Sequence, residues 1–179
     1  IDEDNNINLK YNKEIADLLL KNTGKLESIN EIVKIEQNSL RDKLKLVVIT
    51  DYVKEEYYNV EDENEIKEIG IIPIFRKLIS KNPNINVAVL TGTWVIIPTQ
   101  YKENLIEIAK AEYQINENDI KITELGIDFN YSKVDIESTY DKYIVNLITK
   151  LFEQTNISVL IGTVALIGEG WDAPFVNSL

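Results

Sequence analysis

The 179-residue sequence contains no cysteine, no histidine and no methionine. Without cysteine there is no disulfide framework and no thiol nucleophile. Without histidine there is no Ser-His-Asp triad, and lacking both there is no Cys/His zinc site. Arginine is confined to Arg41 and Arg76. Long apolar runs are missing too: Val87 to Leu90 and Val159 to Ile161 fall far short of the roughly 20 residues that span a bilayer, so no membrane partner is expected. Glycine and proline number only seven and four, and 44% of the residues are apolar. That composition describes a chain that folds around a core, not a disordered tail.

Charge is abundant but one-sided. Thirty acidic residues face nineteen basic ones, for a net charge of −11, so the chain as a whole is not drawn to nucleic acid or anionic lipid. The segment from Asp51 to Glu68 holds eight acidic and two basic residues, and Lys54 to Glu68 within it reads as a solvated loop or helix start. Ile1 to Asn8 is acidic where a secretory signal is basic and then apolar. The sequence therefore reads as an intracellular, cytoplasmic piece of a longer protein.

Apolar residues from Lys10 onward recur at three- and four-residue intervals: Ile15, Leu18 and Leu19, then Leu26, Ile29, Ile32, Val33 and Leu40. This predicts two amphipathic helices broken near Asn22-Thr23-Gly24, with Gly24 able to cap the first. Four runs rich in β-branched residues follow, Leu44 to Thr50, Val87 to Thr91, Asp119 to Glu124 and Ile157 to Thr163. Helical patterns lie between them, Glu65 to Ser80, Gln100 to Tyr113 and Ile136 to Gln154, with Pro73 starting or kinking the first. Strand and helix in alternation predict an α/β fold: an open, mostly parallel sheet with helices on both faces.

In such sheets ligands bind at the carboxyl ends of the strands. Three of those ends carry threonine: Thr50-Asp51, Thr91-Gly92-Thr93 and Gly162-Thr163. Threonine there either caps the next helix or, with backbone N–H groups, holds phosphate oxygens. The last strand runs into Gly162-Thr163-Val164-Ala165-Leu166-Ile167-Gly168-Glu169-Gly170-Trp171-Asp172-Ala173-Pro174. Glycine at two positions lets backbone amides approach a ligand, and the Asp172 carboxylate can accept from ribose hydroxyls or hold an arginine.

This block resembles motif V of the superfamily 2 helicases and translocases, in the form of their DEAD/DEAH-box or restriction-subunit-like branch. Leu46-Val47-Val48-Ile49-Thr50-Asp51-Tyr52 is similar to motif IV, and Val87 to Gly92 to the strand that follows it. The resemblance implies a C-terminal RecA-like lobe of P-loop NTPase type over residues 44–179, truncated before motif VI, with residues 1–43 as a helical lead-in. It implies that Thr50, Thr91, Gly92 and Thr163 contact a DNA or RNA backbone. It implies that Glu169, Gly170 and Asp172 face nucleotide in a cleft against an N-terminal RecA-like lobe of the same protein.

Departures from the family pattern matter equally. No Gly-x-x-x-x-Gly-Lys-Ser/Thr and no Asp-Glu-x-His occurs, so ATP and Mg2+ are expected to be held mainly by the missing first lobe and the fragment alone to hydrolyse nothing. The alternative is a non-catalytic acidic α/β protein-binding module. A dinucleotide-binding enzyme ranks last, because the turn after the first strand, Thr50-Asp51-Tyr52-Val53, has no glycine. Tyr52, Tyr57 and Tyr58 could stack on bases, but their acidic neighbours favour a half-buried loop. Trp94 with Val95 to Pro98 reads as core packing after a strand.

Overall fold

The computed structural model describes residues 24–60, 62, 65–168 and 170–179. The helix expected from Lys10 lies outside them. The described chain begins with α1 (Gly24–Leu40), which turns Leu26 and Val33 inward. It continues through β1 (Leu46–Ile49), α2 (Ile71–Lys81), β2 (Asn86–Leu90), β3 (Val95–Pro98), α3 (Lys102–Tyr113), β4 (Ile120–Leu125), β5 (Asp128–Ile136), α4 (Asp141–Gln154), β6 (Ile157–Gly162) and the single turn α5 (Val164–Ile167).

The six strands form one sheet in the order β1-β6-β2-β3-β5-β4. The expected α/β sheet with helices on both faces is present, and its parallel part is β1, β6 and β2. The other pairings are antiparallel. The reason is local: only Thr91 to Trp94 separates β2 from β3, and parallel neighbours need a crossover of a dozen residues or more. Two strands were not anticipated. β3 is the Val95 to Pro98 run read as core packing, and β5 is polar at most positions.

Alternation along each strand divides the core in two. On one face Leu46, Val87, Val89, Val159 and Ile161 meet Phe75 and Leu78 of α2 and Val33 of α1. On the other Val47, Ala88, Leu90 and Leu160 meet Leu105 of α3 and Leu147, Leu151 and Phe152 of α4. Burial from both sides explains why all six residues of β6 are buried and why Val159 to Ile161 within it is an apolar run.

Helix boundaries shift by a few residues. α2 begins at Ile71, so the described residues of the acidic stretch before it are loop apart from a 3-10 turn at Glu55–Tyr57, and Pro73 sits in the first turn, where an N–H has no helical acceptor. The helix expected from Ile136 begins at Asp141, because Ile136 ends β5, paired with Ile120.

Tyr131 of β5 joins the two halves of the sheet. It is buried, meets Phe75 edge-on at 5.1 Å, donates to Ile85 O at 3.3 Å and accepts from Val87 N at 3.4 Å. Burial pushes its phenol from the ordinary 10 up to about 12. The unfolded chain loses this proton near pH 10 and the folded chain keeps it. The stabilisation is therefore complete below pH 10 and is lost as pH rises through about 12, up to roughly 2–3 kcal/mol. Urea titrations across this window should show a fall for the parent chain that is shallower in Tyr131→Phe.

Candidate ligand-binding rim of the sheet

Register fixes the rim. Ile49 of β1 and Leu90 of β2 both align with Gly162 of β6, so Thr50, Thr163 and Thr91 leave the sheet side by side. Thr50 N donates to Gly162 O at 3.1 Å across the edge. The expectation that three threonine-tipped strand ends share one edge is met.

Their hydroxyls do different things. Thr91 is 2% exposed; its Oγ1 accepts from Trp94 N at 2.7 Å and Thr93 N at 3.2 Å and donates to Trp94 O. It closes the β2–β3 hairpin, so the expected backbone contact from this hydroxyl is replaced by a structural one. Thr50 and Thr163 are half-buried. Thr163 stands at the N-cap of α5 without a side-chain cap bond, so capping does not account for it. The N–H groups of Val164 and Ala165 beside it open the turn at an exposed surface and meet no acceptor among the described residues. By contrast, the first amides of α2 are taken: Ile71 N donates to Tyr52 O at 2.8 Å and Ile72 N to Val53 O at 3.1 Å. That helix start offers nothing to an anion.

The glycines likewise divide. Gly92 is exposed, its φ is not in the left-handed region, and an added Cβ would meet nothing within 4 Å. Nothing in the fold requires glycine there. Gly92→Ala should therefore leave stability within about 0.5 kcal/mol in thermal unfolding, and any ligand binding it weakens would report close backbone approach. Gly162 is held by packing, since a Cβ would stand 2.6 Å from Ile167 Cδ1 and 2.9 Å from Leu90 O. Gly168 is held by the carbonyl of Val164, which its Cβ would strike. Among the described residues only Gly170, at φ +86°, needs glycine for its dihedral. Glu169 lies outside the described residues.

After Gly170 the chain leaves the rim. Trp171 Nε1 donates to Thr149 Oγ1 at 2.8 Å, midway along α4. Phe175 stacks edge-on against Phe152 near the foot of that helix at 5.5 Å. Asn177 reaches the start of β1, accepting from Lys45 N at 2.9 Å and donating to Lys43 O. Asp172 lies on this descent, exposed, and is not gathered with the threonines.

Sequence reasoning named Thr93, Trp94, Tyr57 and Tyr58 but not the contacts that join them to Glu55, Arg76 and Lys133 at the rim. Thr93 Oγ1 donates to Glu55 Oε1 at 3.0 Å. Trp94 packs on Tyr58 at 4.9 Å, with Lys133 Nζ 5.3 Å from its ring centre. Arg76 donates to the carbonyls of Tyr57 and Tyr58 at 2.8 Å each, which ties that loop down and keeps both rings half-buried. The readable signal was Thr91-Gly92-Thr93 between two β-branched runs, a hairpin pattern. Among the described residues no cluster of three or more acidic side chains could hold a metal.

Comparison with known proteins adds no relative: no family model, no curated protein and no solved structure matches the chain.

Proposed function

We propose that the chain is the second, C-terminal RecA-like lobe of an ATP-dependent superfamily 2 helicase or translocase, a cytoplasmic enzyme, gripping the backbone of DNA or RNA at the rim. The observation that carries this reading is the side-by-side exit of Thr50, Thr163 and Thr91 from three parallel strands. The hydroxyls of Thr50 and Thr163, which meet no partner among the described residues, and the N–H groups of Val164 and Ala165 are donors suited to phosphate oxygens. Such contacts position a strand without reading its sequence.

ATP and Mg2+ do not fit this chain alone, which has no phosphate loop and no metal-holding cluster among its described residues. In this reading a first lobe holds them, and Gly170 and Asp172 approach the nucleotide from the flank. The purified chain should turn over no ATP; measurable hydrolysis would contradict this division of labour.

The direct test is an NMR titration with short oligo(dT) and oligo(U). Amide shifts should concentrate at Thr50, Thr163, Val164 and Ala165, and Thr163→Val should weaken binding roughly three- to ten-fold, the loss of about one hydrogen bond. Shifts confined to other surfaces, or none, would sink the reading. The net charge of −11 favours the second reading, an acidic protein-binding module, under which oligonucleotides leave these amides unmoved.

A further inference from the structure

At the end of the sheet opposite the rim, a cavity of about 450 Å³ opens where β2 begins, β3 ends and β5 begins. At ~3.3 Å per residue, β2 alone sets it about 15 Å from Thr91. Asn82, Asn86, Gln100, Asp128, Phe129 and Asn130 line it, and Asp128 is the only charged residue among the described residues of its wall.

Hydrogen-bond direction fixes what the amides offer. Asn86 Nδ2 donates to Asn156 O at 3.0 Å and to the Tyr101 hydroxyl at 3.3 Å, so Asn86 Oδ1 is the atom that accepts from Gln100 Nε2 at 3.0 Å. Asn82 Nδ2 donates to Leu78 O at 3.1 Å and Asn30 Oδ1 at 2.8 Å. The backbone N and Nδ2 of Asn130 both donate to Asp128 Oδ1 at 2.9 Å. An amide whose N–H groups are spent inside the protein keeps its oxygen for a ligand. The side-chain oxygens of Asn82, Gln100 and Asn130 and Asp128 Oδ2 meet no donor among the described residues, against one uncommitted N–H each on Gln100 and Asn130. The cavity is therefore rich in open acceptors.

Phe129 adds an aromatic face. It is 72% exposed and belongs to neither half of the core, yet its backbone is held by the turn from Asp128 to Asn130 and by Thr99 Oγ1, which donates to Phe129 O at 3.1 Å. α2 also ends here, and a helix C-terminus carries partial negative charge. Arg76 shares an adjoining recess with Asp128, but it donates to the carbonyls of Tyr57 and Tyr58 instead.

We propose that this cavity binds a guanidinium group on an aliphatic stem, the chemistry of an arginine side chain. Guanidinium carries five N–H donors in one plane and no acceptor, so it answers the surplus of oxygens, while its face stacks on an aromatic ring. Its charge complements Asp128, the end of α2 and a chain of net charge −11. A neutral sugar brings as many acceptors as donors and finds few N–H groups to meet them. An anion faces Asp128 with no lining lysine or arginine. The site lies away from the rim and stands whether or not the rim binds nucleic acid.

The test is an NMR titration of the chain with the blocked tripeptide Ala-Arg-Ala, the same tripeptide with citrulline as the neutral isostere, free arginine, and glucose. The arginine tripeptide should shift the amides of Gln100, Phe129 and Asn130, and the citrulline form should bind roughly ten-fold more weakly. Phe129→Ala removes an exposed ring and should weaken binding roughly three- to ten-fold. Asp128→Asn keeps an acceptor for the turn, removes the charge and should cost roughly ten-fold. Tighter binding of the tripeptide than of arginine assigns the group to a protein partner, and the reverse to a free small molecule. Equal affinity for the citrulline form, tighter binding of glucose, no shifts at these three amides, or full affinity in both variants would overturn the proposal.

Discussion

Truncating Phe152 to alanine should lower stability by about 3–5 kcal/mol, the largest effect expected of any single substitution described above. The ring is fully buried in the core between the sheet and α4. It also receives Phe175 edge-on at 5.5 Å, and Lys45 Nζ lies 5.1 Å from its centre. The substitution opens a cavity and releases the anchor of the descending segment at once. Urea denaturation measures the loss, and Phe152→Leu, which refills most of the space, should recover more than half. A loss below about 1 kcal/mol would mean that the descending segment and α4 are not packed as described.

Lys45→Met should cost about 2–4 kcal/mol for a different reason. The Lys45 ammonium donates to Phe152 O, Thr155 O and Ile157 O at 2.5, 2.6 and 3.1 Å, the carbonyls where α4 ends and β6 begins. Helix ends leave such carbonyls without partners, and stranding a buried acceptor costs about 1–3 kcal/mol. Burial holds this lysine below its ordinary pKa, with Glu153 pulling the other way. Methionine keeps the packing and removes the donors, so urea titration reads their contribution. If Lys45→Met unfolds at the same urea concentration as the parent, water satisfies those carbonyls and the ammonium is incidental.

The parallel core of the fold was legible because burial from both sides imposes apolar runs, as in Val87 to Leu90 and Val159 to Ile161. β5 was not, because Asp128 to Ile136 alternates around a half-solvated surface and carries Asp128, Asn130, Lys133 and Asp135. Ile136 was drawn into the next helix because its spacing to Tyr140 and Ile144 fits a helical repeat as well as it ends a strand. At the rim, residue identity predicted place but not use. Thr91 and Thr163 look alike in sequence, and only the reversal of the chain at Thr93-Trp94 commits one hydroxyl, while the other has no partner among the described residues. Gly168 and Gly92 trade roles in the same way, the first demanded by a neighbouring carbonyl and the second by nothing in the fold.

The hairpin closed by Thr91 limits the rim to three parallel strands. Adjacent strands lie about 4.8 Å apart, so β1 and β2 are separated by only ~10 Å. Under the nucleic-acid reading proposed above, a polymer crossing that width would meet the protein over about two phosphates. The donors waiting there are neutral hydroxyls and amides, which displace no counterions, whereas each phosphate neutralised by lysine or arginine contributes a slope of about −0.7 in log affinity against log salt for single strands. Grip at this footprint would thus be weak but nearly indifferent to ionic strength.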